Sequence, residues 1–265
     1  MRCSNCDYNL IGNQSIFCPS CGAKTNDTAM QAMPQYTSQV GIPHNMVKIV
    51  CIVLLAIIIG AGGFFAFRGP GGPRAGAIIE FGGIEWRVLD RQSGKILVIS
   101  EYVLERRAYH AQRESVTWAD SDIRQYLNGE FLNRFTPEER ARIVETNVIN
   151  NDNPWYGTSG GPDTTDYVFL LSLEELVRYF GNSRRLSNQN HPDNPPGGVD
   201  DRYNENRSAY YMPDGAGWPW WWWLRSPGYS SEQAAFVFIF GFINVAGVNV
   251  DAIDYGIRPA LWLRP

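Results

Sequence analysis

The stretch WWWWLRSPG at 220–228, followed by AAFVFIFGFI at 234–243, decides how the carboxyl-terminal half of this chain is read. It is aromatic and β-branched with no polar stripe at helical spacing, so it reads as strand. Further apolar runs at 245–250 and 257–263 extend the reading to four closing strands. Phe236, Phe238, Phe240 and Phe242 alternate, so one continuous strand over 234–243 would place all four rings on one face. Two readings stay open. That face is core, or it is an exposed aromatic surface of the kind a protein displays only to bind something. The four consecutive tryptophans put rings on both faces of their strand, which is the pattern of packing.

Working upstream, 78–81, 84–89 and 95–99 read as strands, the last two joined by a turn over 92–94. Ile123, Tyr126 and Leu127 share one helical face after Ser121. Thr136-Pro137-Glu138-Glu139 is a capping box with proline in the first turn, and Ser172-Leu173-Glu174-Glu175 is a second, opening a helix through Tyr179. A strand is expected over 167–171, just before that second box. The Asn-, Asp-, Pro- and Gly-rich span 181–219 reads as a long functional loop region. Sheet, helices, loops, sheet is an α+β order in which the two ends of the domain meet in one sheet.

The chain has 265 residues, with 44% hydrophobic and 13% aromatic residues, which excludes disorder throughout. A net charge of −4 and a pI near 5.5 argue against coating nucleic acid, which needs a basic face. All five cysteines lie within the first 51 residues and all nine tryptophans from Trp86 onward, so two differently built parts are implied. The larger part, free of cysteine, must be held by packing.

Cys3, Cys6, Cys18 and Cys21 form two Cys-x2-Cys pairs, the soft tetrahedral set that zinc prefers, so 1–25 is expected to be a structural zinc ribbon. So short a segment buries little core, and the metal would supply folding free energy on the order of 10 kcal/mol. Residues 26–47 read as a tether. The apolar run 49–67, bounded by Lys48 and Arg68, would span about 28 Å as a helix, close to the hydrocarbon thickness, so 48–68 is expected to cross a membrane once. Lys48 on one side against Arg68, Arg74 and Arg87 on the other favours the opposite orientation. Free thiolates suit the reducing cytosol, and large domains translocate with little regard to local charge. The amino end is therefore expected inside and the carboxyl domain outside. Residues 69–76 form a Gly/Pro linker and 77–265 the large domain.

WWLRSPG at 222–228 and GIRPALWL at 256–263 resemble the closing motifs of an uncharacterised bacterial domain family. The likeness extends over about 78–265 through Thr117 to Asn128, Phe135 to Glu139 and Asp166 to Ser172. Members of that family look like C-type-lectin-fold proteins related to the formylglycine-generating enzyme, some of them variable proteins of diversity-generating retroelements. The resemblance implies a fixed scaffold with a variable segment at about 229–255, rewritten through adenines. Every residue from Ala234 to Tyr255 is a type reachable from an Asn codon by changing its adenines.

Ligand contact is accordingly expected at Tyr229, Ser230, Phe236, Phe238, Phe240 and Phe242, and at Asn244, Ala246, Asn249, Asp251, Ala252, Asp254 and Tyr255. The partner would be a protein or glycan met at the cell surface, bound by contact without chemistry. Rival readings are an envelope enzyme on the same fold and a ligand sensor coupled to the zinc ribbon. Formylglycine generation itself needs cysteines that this domain lacks. His110 and His191 are isolated, and Asp163, Asp166, Asp193, Asp200, Asp201 and Asp214 read as solvated acidic loops. Arg225 and Arg258, beside aromatics, are expected to anchor carbonyls or a carboxylate.

Overall fold

The computed structural model describes residues 72–264, except 214 and 216. These belong to the second of two compact units, Gly62–Pro265. The expected zinc ribbon, tether and membrane helix lie outside the described residues. Among the described residues no helix is long and apolar enough to cross a membrane.

The domain is a mixed α+β structure, rich in sheet. Strands β1 (Ile78–Phe81) and β2 (Ile84–Gln92) are joined by Gly82 and Gly83, both at positive φ, and β2 turns into β3 (Lys95–Ser100) through Ser93 and Gly94, also at positive φ. Two-residue turns of this hand match the twist of the strands they connect. Gly82 is required twice over, since a Cβ there would lie 2.3 Å from the Phe135 ring.

Helices are short. After β4 (Glu105–Arg106) comes α1 (Asp122–Tyr126), with the Ser121 hydroxyl accepting from the Arg124 N–H. Helix α2 (Pro137–Arg140) opens with its capping box closed in both directions, Glu139 N–H to Thr136 Oγ1 and Thr136 N–H to Glu139 Oε2. Strands β5 (Ile143–Val144), β6 (Thr146–Val148) and β7 (Thr164–Asp166) follow, and then α3 (Leu173–Phe180), capped reciprocally by Ser172 and Glu175.

The expected strand at 167–171 is absent. Its strand pairing is one step earlier, in β7, and Phe169 makes only an isolated bridge to Ala260. The span 181–219 is more ordered than a loop reading implies. It carries β8 (Gly198–Val199), α4 (Asn204–Arg207), β9 (Tyr210–Tyr211) and β10 (Trp218–Pro219).

The closing strands are β11 (Trp222–Pro227), β12 (Gln233–Val237), β13 (Ile243–Asn249), β14 (Gly256–Ile257) and β15 (Ala260–Leu263). One sheet has the order β1-β2-β3-β15-β5, so the last strand pairs with β3 and the two ends of the domain do meet. The other large sheet has the order β4-β14-β11-β12-β13-β8. The single strand expected over 257–263 is therefore two strands in two sheets. The break falls at Arg258-Pro259, where proline offers no N–H to a ladder and the chain crosses from one sheet to the other.

Two buried arginines lock this frame. Arg225 donates to the carbonyls of Leu170 (2.7 Å) and Ile149 (3.0 Å), to Asn150 Oδ1 and to the Glu175 carboxylate. Its own carbonyl accepts from the Tyr109 hydroxyl, whose ionisation burial pushes far above the ordinary tyrosine range. Arg258 donates to the carbonyls of Ser100 and Glu101 and lies between the Phe180 and Trp222 rings. Both are anchors, as their setting among aromatics predicts.

Candidate functional site

The hairpin of β12 and β13 does not run straight through its phenylalanines. Strand β12 ends at Val237, and Phe238 to Phe242 form a turn closed by Phe238 N–H to Phe242 O and Gly241 N–H to Phe238 O, each 2.8 Å. The single-faced array of four rings is thus corrected. Phe236 is buried at 4% exposure and belongs to the core, Phe238 and Phe242 are half-buried, and Phe240 at the tip is 55% exposed. The physical reason is a tertiary contact: Gly241 takes φ +82°, and a Cβ there would sit 1.7 Å from the Asn204 carbonyl oxygen. A glycine in that conformation, pressed on α4, ends the alternation.

Main-chain atoms hold the turn to its support. Ser208 Oγ donates to the Ile239 carbonyl (2.8 Å) and Arg207 Nη1 to the Gly241 carbonyl (3.4 Å). Arg207 is fully buried and paired with Asp201. Burial alone would raise the Asp201 carboxyl, but hydrogen bonds from the Ser183 hydroxyl and the Tyr203 N–H, together with the Arg207 charge, hold it below the ordinary range.

From this turn an aromatic chain runs inward. Phe238 meets Phe240 and Phe242 at ring-centroid distances of 6.2 and 6.0 Å and Trp221 edge-on at 5.8 Å. Trp221 continues to Tyr255 (6.1 Å), and Tyr255 packs on Trp223 (4.6 Å) and Phe236 (4.8 Å). Laterally, Trp221 touches Trp220, Trp220 touches Tyr211, and the Arg106 guanidinium covers both of the latter. Arg106 also reaches Asp254 (3.3 Å), whose carbonyl accepts from Trp220 Nε1. Burial, and secondarily the Asp254 charge, push the Tyr255 hydroxyl above its usual range.

The expected contact residues therefore divide. Phe238, Phe240, Phe242, Asp254 and Tyr255 come together. Tyr229 and Ser230 sit at the opposite end of the hairpin, where the Tyr229 N–H donates to Ala246 O and its ring, 65% exposed, stands 5.0 Å from Tyr156. Asn244 spends its side-chain oxygen on the Gly247 N–H (2.7 Å). Asn249 pairs across from Gln233 and accepts from the Ala252 N–H, while Asp251 is exposed beside it.

Trp220, Trp221, Tyr211 and Arg106 were not singled out from the sequence as a surface. The tryptophan run splits: Trp222 and Trp223 are fully buried and donate to the carbonyls of Arg207 and Arg107, whereas Trp220 and Trp221 stay half-exposed. A usable signal was the loop chemistry just upstream. Tyr210, Met212 and Trp218, large apolar residues set among Pro, Gly and Asp, are all exposed.

The two histidines and two of the acidic residues singled out from the sequence are spent on structure. His110 lies between Glu114 (2.9 Å) and Asp122 (3.0 Å), and His191 beside Asp193 (3.8 Å). Asp166 is no solvated loop residue; it is buried and accepts from Trp118 Nε1, Arg124 Nε and Thr164 Oγ1. Asp201 likewise serves Arg207. Among the described residues no three His, Cys, Asp or Glu side chains gather into a metal-holding group. The four expected zinc ligands lie outside them.

No curated protein and no solved structure matches the chain. Residues 93–265 match the DUF6273 family, a domain of unknown function, and the chain belongs to that family.

Proposed function

We propose that this chain is a single-pass membrane protein that displays a ligand-binding domain of C-type-lectin-like fold outside the cell. The zinc ribbon stays on the cytoplasmic side. Binding is by contact, through the turn at 238–242 and the aromatic chain behind it, rather than by a reaction. Ring faces offer large area at low entropic cost, and the Arg106–Asp254 pair supplies polar contacts at the edge. The ligand is a protein or glycan at the cell surface.

One observation carries the reading. The turn is fastened through the carbonyls of Ile239 and Gly241, so its position does not depend on which side chains its other residues carry. A support of that kind suits the exchange of the turn's outward-facing residues while the backbone stays fixed, the behaviour the family resemblance implies for 229–255, although buried Phe236, Val237, Ile243 and Val245 belong to the frame. Resequencing the locus tests diversification directly. A template copy of the last coding region, differing at adenines and lying beside a reverse transcriptase gene, is the expected finding. A locus with neither removes diversification from the proposal. Display and binding are tested by protease shaving of intact cells and by screening the protein on glycan and surface-protein arrays. Protection of the domain in intact cells, or hits that Phe240→Ala leaves unchanged, would overturn them. One zinc per chain, lost in Cys18→Ser, is expected by elemental analysis.

A further inference from the structure

Away from the hairpin, a cleft of about 340 Å³ opens between β2, the end of α3 and α4. Its wall includes two guanidiniums, Arg87 and Arg258, and two carboxylates, Glu101 and Glu205, against the apolar flank of Leu89 and Tyr179. Both arginines use the same edge in the same way. Arg87 gives Nε and Nη2 to the Glu101 carboxylate, while Arg258 gives Nε to Ser100 O (2.8 Å) and Nη2 to Glu101 O (3.2 Å). In each case Nη1 is left over. Arg258 Nη1 is buried with no partner, and Arg87 Nη1 has none among the described residues.

Glu101 is paired with Arg87, so Arg258, at 2% exposure, hydrogen-bonds only to carbonyls, lies against ring faces and shares the Glu101 charge with Arg87. Burying a cation that must share its counter-ion is costly: burial, and secondarily the Arg87 charge, bring the Arg258 pKa down to about 10 against the opposing pull of Glu101. Glu205 stands exposed at the lip. An anion in the cleft would feel the Arg258 charge through a poorly screened interior whether or not it touches Nη1.

We propose that this cleft is a binding site for a small organic carboxylate, whose charged end faces Arg87 and Arg258 and whose apolar part lies along Leu89 and Tyr179. The site shares Ser208 with the support of the hairpin turn but none of the turn's exposed rings.

The test uses the full chain in detergent with sodium benzoate, benzamide and inorganic phosphate as probes, followed by the thermal midpoint. Benzoate is expected to raise the midpoint saturably and neutral benzamide to leave it unchanged. Arg87→Gln is expected to weaken half-saturation by benzoate about tenfold, and Ala75→Phe, which crowds the mouth, to abolish the shift. Both avoid the deeply buried Arg258, whose replacement risks the fold. An equal shift from benzamide, a shift from phosphate alone, or a benzoate shift that survives both variants would overturn the assignment, as would no shift at all. Phe240→Ala is expected to keep the benzoate response, so failure here and failure of the hairpin reading are told apart.

Discussion

The strand β11 and the turn at 238–242 are both rich in aromatic residues and behave oppositely. In β11, Trp222 and Trp223 are fully covered, and Arg225 ties the strand to Ile149, Leu170 and Glu175. In the turn, Phe240 is 55% exposed and the ties run to main-chain carbonyls. Aromatic content does not separate frame from surface here; the identity of the fastened atoms does. Where side chains are the fastening, sequence is constrained. Where the backbone is fastened, side chains are free to face outward.

The sharpest way to break that contrast is Arg225→Met, which strips donors from two carbonyls and leaves the Glu175 carboxylate without its cationic partner. A loss of about 5 kcal/mol, or failure to fold, is expected in urea unfolding. A mild effect would mean that the frame is not held by this side chain.

Asp201→Asn comes next, because it leaves the fully buried Arg207 without a counter-charge, at a cost of about 3 kcal/mol at neutral pH. The sign with pH follows from its depressed carboxyl. The stabilisation is complete above about pH 4 and is lost as pH falls through the lower native value. The gap between Asp201→Asn and the parent should therefore narrow on acidification. A constant gap would show that the pair's charge is not what fastens the turn.

Phe236→Ala and Phe240→Ala then test the two ends of one alternating run. The first removes a core ring and should cost about 3 kcal/mol, whereas the second should stay within about 0.5 kcal/mol. Similar losses from both would erase the boundary drawn at Val237. If Phe240→Ala is silent in stability yet abolishes a binding signal, the division between frame and surface is sharpened further.

Much of the frame was legible in advance. The capping boxes at Thr136 and Ser172 and the turn at Ser93-Gly94 follow from local chemistry, the meeting of the domain's two ends in one sheet from the element order, and all are present. The candidate surface was legible only in part. Phe238, Phe240 and Tyr255 were singled out, but Phe236 belongs to the core, and Trp220, Trp221, Tyr211 and Arg106 join the surface unannounced. Period-two alternation says which residues share a face while a strand lasts; it does not say where the strand stops.

By itself, the sequence determined the α+β order, the cysteine-free packed domain and the caps, because each rests on neighbours within a few residues or on composition; it marked Arg225 and Arg258 as anchors without naming the distant groups they hold. Only the tertiary structure decided that Gly241 meets Asn204 and bends the hairpin, that Pro259 marks the passage between sheets, and which tryptophans are covered. Those outcomes depend on contacts between segments far apart in the chain, and no local pattern encodes the partner that arrives from the other side.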